Sequence, residues 1–92
     1  MKKKELINAD DANLFWVNGN GALRNLKELA ESLKVMSDEA YSYHVNKEKN
    51  DFASWVKEVL QDSKLALDLK RAKTQAGALK KVEARLKAQY IV

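Results

Sequence analysis

The chain has no cysteine and no proline, and its apolar residues never run together for long. Without cysteine it can form no disulfides, thiolate zinc sites or cysteine nucleophiles, which fits a reducing compartment. Without proline, no helical pattern is interrupted from within. No apolar run approaches the ~20 residues that a membrane-spanning helix needs. These absences predict a soluble protein held together by its hydrophobic core, with no contact to a membrane.

Length and composition predict one small globular domain covering residues 1–92. The chain is 46% hydrophobic and 33% charged, which is typical of globular rather than disordered proteins. A chain of this size buries only a little over ~60% of its unfolded surface, which leaves little room for a deep active site. The basic first residues are followed by Glu5, Asp10 and Asp11, where a signal peptide would need an apolar stretch. We therefore expect a cytoplasmic protein.

An aromatic stretch near the N terminus has the pattern of a β-strand. Residues 12–17, ANLFWV, end in Asn-Gly-Asn-Gly, where both residue types adopt positive φ. The strand needs a partner, and three are open: Leu6-Ile7, the same strand of a second subunit, or a short return strand after the turn. The glycine run lacks the Lys-Ser/Thr of a P-loop, so it predicts a plain turn. The sequence leaves open whether the preceding residues 1–11 are disordered.

Amphipathic helical segments follow, most of them with a capping residue at the start. The candidate N-caps are Asn25 (with Glu28 in a capping box), Ser37, Asn50, and Asp62 or Ser63. The apolar stripes are Leu26, Leu29, Ala30, Leu33 and Met36; Ala40, Tyr41, His44 and Val45; Phe52, Trp55, Val56, Val59 and Leu60; Leu65, Ala66, Leu69 and Ala72; and Leu79, Val82, Leu86 and Tyr90. We therefore predict a mainly α fold: about five short helices in a compact bundle, a short N-terminal β-strand or hairpin, and a basic C-terminal helix over residues 74–92.

The middle of the chain also resembles a known sequence pattern. Tyr43-His44-Val45 is followed by Asn50-Asp51-Phe52 and Trp55, and then by Asp62 with Leu65-Ala66. With the aromatic strand and the Leu-rich helix before them, these residues cover roughly positions 14 to 70. Over that range the chain resembles a family of small uncharacterised prokaryotic domains from archaea and poorly cultured bacteria. The resemblance implies no activity, cofactor or ligand, because none is established for the family.

The candidate catalytic and metal-binding residues have simpler structural explanations. His44 lacks cysteine partners, and Glu39 and Glu48 are the carboxylates near it in sequence, so we predict a histidine packed between helices with one ring nitrogen bonded to backbone. Ser42 is too close in sequence to share a helix face with it, which argues against a Ser-His-Asp set. We therefore expect no enzyme, no metal or other cofactor, and no small-molecule substrate.

Four aromatic residues are candidates for a platform on which nucleic-acid bases stack. They are Trp16, Tyr41, Tyr43 and Trp55. Trp55 shares an apolar stripe with Phe52, so we predict both in the core, and Tyr43 is the aromatic that we expect to be exposed.

Basic residues concentrate in the C-terminal third of the chain. Residues 1–61 carry nine Lys/Arg against ten Asp/Glu, whereas residues 62–92 carry eight against three, a net charge of +5. The predicted basic face consists of Lys70, Arg71, Lys73, Lys80, Lys81, Arg85 and Lys87. Such a face is either a solvated helix surface, the commoner case, or a contact for phosphates or another acidic partner.

The same C-terminal segment also offers an apolar seam, which either docks on the protein's own core or pairs with a second copy. We expect a non-catalytic interaction module that binds a protein partner or itself as a homodimer. The alternative is nonspecific DNA binding through the basic C-terminal helices.

Overall fold

A computed structural model describes residues 3–18 and 21–91 of the protein. In chain order the elements are a 3-10 turn (Asp11–Asn13), β1 (Phe15–Val17), β2 (Gly21–Leu23), α1 (Leu26–Val35), α2 (Asp38–His44), α3 (Asp51–Glu58), α4 (Ser63–Arg71) and α5 (Gln75–Gln89). The predicted architecture, mainly α with five helices and a short N-terminal hairpin, is confirmed for these residues. No helix within them is both long and apolar enough to cross a membrane.

The N-terminal strand pairs with its own return strand. β1 and β2 are antiparallel, with Phe15 opposite Leu23 and Trp16 opposite Ala22. Gly21 begins the return strand at φ +82°, a conformation that favours glycine. Of the three partners considered, the return strand is therefore the one used, while the Gly19-Asn20 part of the predicted turn lies outside the described residues.

The strand is shorter than the sequence pattern indicated. It begins at Phe15 rather than at Ala12, because the preceding residues form the 3-10 turn. That turn is closed twice by Asn13, whose backbone N–H donates to the Asp10 carbonyl (2.9 Å) and whose side-chain amide donates to the Asp10 carboxylate (2.7 Å). Local side-chain bonds of this kind compete with strand formation. The turn also places the Asn13 carbonyl 2.8 Å from the indole nitrogen of Trp55, which donates to it.

The helices begin where the capping residues predicted. The side chains of Asn25, Ser37 and Asn50 each accept a hydrogen bond from the backbone N–H three residues on, at 3.0–3.1 Å. For α4 the cap is Asp62 rather than Ser63, since its carboxylate accepts from the Leu65 N–H at 3.0 Å. Each of these bonds satisfies a backbone donor that the first helical turn leaves without a partner.

The core is a set of apolar side chains from all five helices and the hairpin. Helix α5 packs against α1 and α4, and α3 packs against α4. The predicted stripes face this core, except that four of their residues are only partly buried: Val45, Val59, Ala72 and Leu79. The seam of α5 is part of the core as well, because Val82, Leu86 and Tyr90 are buried against the protein's own helices. Docking on its own core is thus how this seam is used in the structure.

The N-terminal segment is hydrogen-bonded to two other parts of the chain. The Lys4 backbone donates to the Gln89 carbonyl (2.7 Å) and accepts from the Ile91 N–H (2.8 Å), forming a short parallel bridge beside Tyr90. Further along, the buried Ala9 donates its N–H to the Arg24 carbonyl at 2.7 Å. These bonds connect the start of the described chain to the end of α5 and to the hairpin.

A buried ionic cluster joins the start of α4 to the end of α5. The carboxylate of Asp62, whose side chain is 1% exposed, accepts two hydrogen bonds from the Arg85 guanidinium at 2.9 and 3.0 Å. It accepts a third from the Tyr90 hydroxyl at 2.7 Å. Burial alone would raise the pKa of Asp62, but the bonds from Arg85, Leu65 and Tyr90 outweigh it and hold that pKa below its usual value. Asp62 therefore stays ionised and fully hydrogen-bonded inside the fold.

Candidate nucleic-acid interface

The loop between α2 and α3 is held in one conformation by several hydrogen bonds. Val45 and Asn50 form an antiparallel bridge across it, and the Asn46 N–H donates to the Lys49 carbonyl at 3.0 Å. The Asn46 side chain accepts from the Glu48 N–H at 3.0 Å. Asn50 caps α3 with its oxygen and donates its amide to the Leu69 carbonyl near the end of α4, at 3.1 Å. The loop is thereby fixed against the end of α4.

An open groove of about 890 Å³ separates this loop from the end of α4. Four lysines line it, Lys47 and Lys49 from the loop and Lys70 and Lys73 from α4 and the residues after it, against a single carboxylate, Glu48. We call this surface the lysine groove. Each lysine ammonium is a compact point charge, so the groove concentrates positive charge on one part of the surface.

Three of the four groove lysines have their charge available. The ion pairs found within residues 3–18 and 21–91 include neither Lys47, Lys70 nor Lys73. Lys49 is different, because its ammonium lies 2.9 Å from the Asp51 carboxylate. The groove's asparagine side chains are already engaged in the bonds that shape the loop. What the groove offers a ligand is therefore mainly positive charge.

At the end of α2, His44 connects the hairpin to α3. The ring is buried, its Nε2 accepts the Asn18 N–H at 3.0 Å, and its Nδ1 lies 3.0 Å from the Asp51 carboxylate. These partners require the proton on Nδ1, which donates to Asp51. The predicted packing of His44 with one ring nitrogen bonded to backbone is confirmed, but its carboxylate partner is Asp51 rather than Glu39 or Glu48.

Asp51 is the charge on which this arrangement depends. Partial burial alone would raise the pKa of its carboxyl, but hydrogen bonds from His44 and Lys49 outweigh that effect and lower the pKa. The ionised carboxylate holds the ammonium of Lys49 at 2.9 Å and orients the imidazole at 3.0 Å. With both ring nitrogens engaged and the ring buried, His44 acts as a structural bridge.

Tyr43 is the exposed aromatic residue beside the groove. Its ring is in edge contact with His44, with centroids 5.0 Å apart and planes at 89°, and the Lys49 ammonium lies 4.8 Å from its centroid. Tyr43 is 57% exposed, as predicted, and Phe52 and Trp55 are in the core, also as predicted. The four-residue aromatic platform does not assemble, because Tyr41 and Trp55 are buried.

The predicted basic face divides into separate surfaces. Lys70 and Lys73 line the lysine groove, and Lys87 lines a different groove between α1 and α5. Arg85 is committed to Asp62, and its side chain is only 18% exposed. The remaining three residues are exposed outside the groove lining: Arg71, Lys80 and Lys81.

Sequence reasoning missed Lys47 and Lys49, which come from the loop and not from the C-terminal helices. The only signal for them was the short Lys-Glu-Lys run itself, which also fits an exposed connection.

Other kinds of site find little support in the described chain. Within residues 3–18 and 21–91, no group of three or more His, Cys, Asp or Glu side chains is placed to hold a metal ion. Comparison with models of known protein families, with curated proteins and with solved structures found no match. The resemblance of residues 14 to 70 to small prokaryotic domains stays a prediction.

Proposed function

We propose that this protein is a non-catalytic interaction module that binds nucleic acid through the lysine groove. The observation that carries the proposal is the convergence of Lys47, Lys49, Lys70 and Lys73 around one open groove. They come from two segments that lie apart in the sequence, and the bond from Asn50 to the end of α4 holds those segments together. A partner with closely spaced negative charges fits this arrangement best.

Binding of this kind is expected to be independent of base sequence. Lysines neutralise phosphates and release counterions, which supplies affinity without reading base edges. Direct reading of a sequence relies largely on bidentate contacts to base edges, most often from Arg, Asn and Gln side chains. In the lysine groove the amides of Asn46 and Asn50 are engaged in the bonds that shape the loop. The groove is therefore suited to the backbone of the nucleic acid.

The test is fluorescence anisotropy with labelled oligonucleotides of roughly 20 nucleotides, longer than a small binding site. Reversing two groove charges, Lys70→Glu with Lys73→Glu, should weaken binding at least about tenfold at low salt. The matched control is Lys80→Glu with Lys81→Glu, an identical charge change on α5 outside the groove, which should weaken binding much less. Equal losses for the two double variants would place binding on the whole C-terminal surface instead of the groove.

Salt dependence gives an independent measure of the same contacts. Each phosphate neutralised on a single strand contributes about 0.7 to the slope of log K against log salt, so three available lysines predict a slope of about −2. The Lys70→Glu, Lys73→Glu variant should reduce that slope by at least about 1. If the natural protein shows no binding even at about 50 mM salt, where such contacts are strongest, the proposal fails.

Protein binding is the second candidate function, and one observation favours it. Trp16 is 69% exposed on the hairpin, and its cross-strand neighbour Ala22 lines a groove of about 630 Å³ that extends along α1 to the exposed Val35. Exposed tryptophans are frequent anchors of protein interfaces.

Self-association is the specific form of protein binding that the sequence suggested. The prediction was based on the unpaired strand and on the C-terminal seam, and both have partners within the chain. Light scattering at high micromolar concentration tests it directly. A dimer that Trp16→Ser converts to a monomer would support this candidate, and a monomeric natural protein would remove self-association.

A further inference from the structure

We propose that the lysine groove takes single-stranded rather than duplex nucleic acid, with one base stacked on Tyr43. This inference rests on the proposed function and names the ligand class of the same site. It comes from the position of one exposed aromatic ring relative to the groove lysines.

Tyr43 is presented on a rigid support. Its ring is in edge contact with the ring of His44, which is 4% exposed. His44 is in turn fixed at both nitrogens, by the Asn18 N–H and by the Asp51 carboxylate, each at 3.0 Å. With these contacts in place Tyr43 is still 57% exposed. A ring that is held in position and remains accessible loses little conformational freedom when a ligand stacks on it.

Lys49 joins the ring to the charged groove. Its side chain lines the lysine groove, and its ammonium lies 4.8 Å from the centre of the Tyr43 ring. Because Asp51 already holds that ammonium, the phosphates of a bound strand are contacted by Lys47, Lys70 and Lys73. A strand held there lies beside Lys49, and one of its bases can stack on the face of the Tyr43 ring that Lys49 does not cover. Alternation of lysine contacts to phosphates with aromatic contacts to bases is how sequence-tolerant single-strand binders work.

A duplex cannot use the ring in this way. Its base faces are covered by neighbouring bases, and exposing one requires that the base be unpaired and unstacked. A single strand exposes its base faces without that cost, and each base stacked on an aromatic side chain typically improves affinity by roughly 5- to 150-fold. The lysines serve both ligands, since both carry phosphates. The preference for single strands therefore depends on Tyr43.

The experiment measures the affinity of the full chain for oligo-dT of roughly 20 nucleotides and for the dT·dA duplex of the same length, at one low salt concentration. Tyr43→Leu should weaken binding of the single strand at least about fivefold and leave the duplex affinity unchanged. Tyr43→Phe keeps a flat ring and should retain the single-strand affinity. Trp16→Leu, an exposed aromatic residue outside the groove lining, is the matched control and should change neither.

The outcomes separate this inference from the proposed function. Natural protein that prefers single strands, with that preference lost only in Tyr43→Leu, supports both. Equal binding of the two ligands, or a Tyr43→Leu variant that binds oligo-dT as tightly as the natural protein, overturns the stacking and leaves groove binding standing. Binding of neither ligand overturns the proposed function itself. Poly-glutamate binding as tight as oligo-dT binding would overturn the inference in favour of an acidic protein partner.

Discussion

Replacing Asp62 should lower the stability of the fold strongly, although the side chain has few atoms. Its carboxylate caps α4 through the Leu65 N–H and accepts two bonds from Arg85 and one from the Tyr90 hydroxyl. Asp62→Ala would leave the Tyr90 hydroxyl without its acceptor in the core. It would also leave a guanidinium whose side chain is 18% exposed without its counter-charge.

The expected loss is ~3–5 kcal/mol, the usual cost of removing one partner of a buried ion pair. Loss of the helix cap is part of that figure, because a cap alone contributes ~1 kcal/mol. Asp62→Asn should cost less, ~1.5–3 kcal/mol, since the amide oxygen still caps the helix and accepts one bond from Arg85, whereas the amide nitrogen cannot accept from Arg85 Nε or from the Tyr90 hydroxyl. Against a total stability of ~5–15 kcal/mol, Asp62→Ala should leave a marginally folded protein.

The assay is thermal and urea unfolding followed by circular dichroism. For a domain of this size, ~3–5 kcal/mol corresponds to a fall of about 12–40 °C in Tm. Asp68→Ala is the matched control, because that carboxylate lies on the same helix but pairs with the exposed Lys64 at 3.3 Å. It should cost less than about 1 kcal/mol. Adding Arg85→Met to Asp62→Ala should restore part of the stability, because it removes the guanidinium that the first substitution leaves without a counter-charge. If Asp62→Ala has the same Tm as Asp68→Ala, the cluster does not stabilise the fold.

Two further predictions concern acid stability and the aromatic core. The carboxyls of Asp51 and Asp62 have folded pKa values below their usual value, so their stabilisation is present above the unfolded pKa of ~3.9 and is lost as the pH falls through the folded values. Urea midpoints should therefore fall steeply below about pH 4, and less steeply in Asp62→Asn; parallel profiles would contradict this. Trp55→Ala should cost ~3–5 kcal/mol in urea unfolding because the ring is buried, whereas His44→Gln should cost only ~1–3 kcal/mol. An unchanged Trp55→Ala midpoint would mean that the core is wrongly placed.

The candidate site was only half predictable from the sequence. Lys70 and Lys73 were in the predicted basic face, and Tyr43 was predicted to be exposed. Lys47 and Lys49 were missed because nothing local indicates that their loop turns back onto the end of α4. Arg85 was assigned to the surface because its charge is visible in the sequence, whereas its partner Asp62 lies on another helix.

The helices and the residues at which they begin follow from local sequence. An N-cap bond spans three residues and an apolar stripe repeats within two helical turns, so both are decided by near neighbours along the chain. That is why Asn25, Ser37 and Asn50 were identified correctly as caps, and why Asp62 was one of the two candidates for the cap of α4. The predicted start of the strand was wrong for a local reason too. The hydrogen bonds from Asn13 to Asp10 form a turn where the sequence pattern had predicted the first residues of the strand.

Which charges and rings meet depends on how the helices pack. Three arrangements join residues that lie apart in the sequence. They are the lysine groove, the bridge from Asn18 through His44 to Asp51, and the cluster of Asp62 with Arg85 and Tyr90. An ion pair or ring contact depends on distances of a few ångströms, and those distances are fixed by how α2, α3, α4 and α5 pack. Helical periodicity says which face of each helix is buried, but not which side chain on another helix that face will contact.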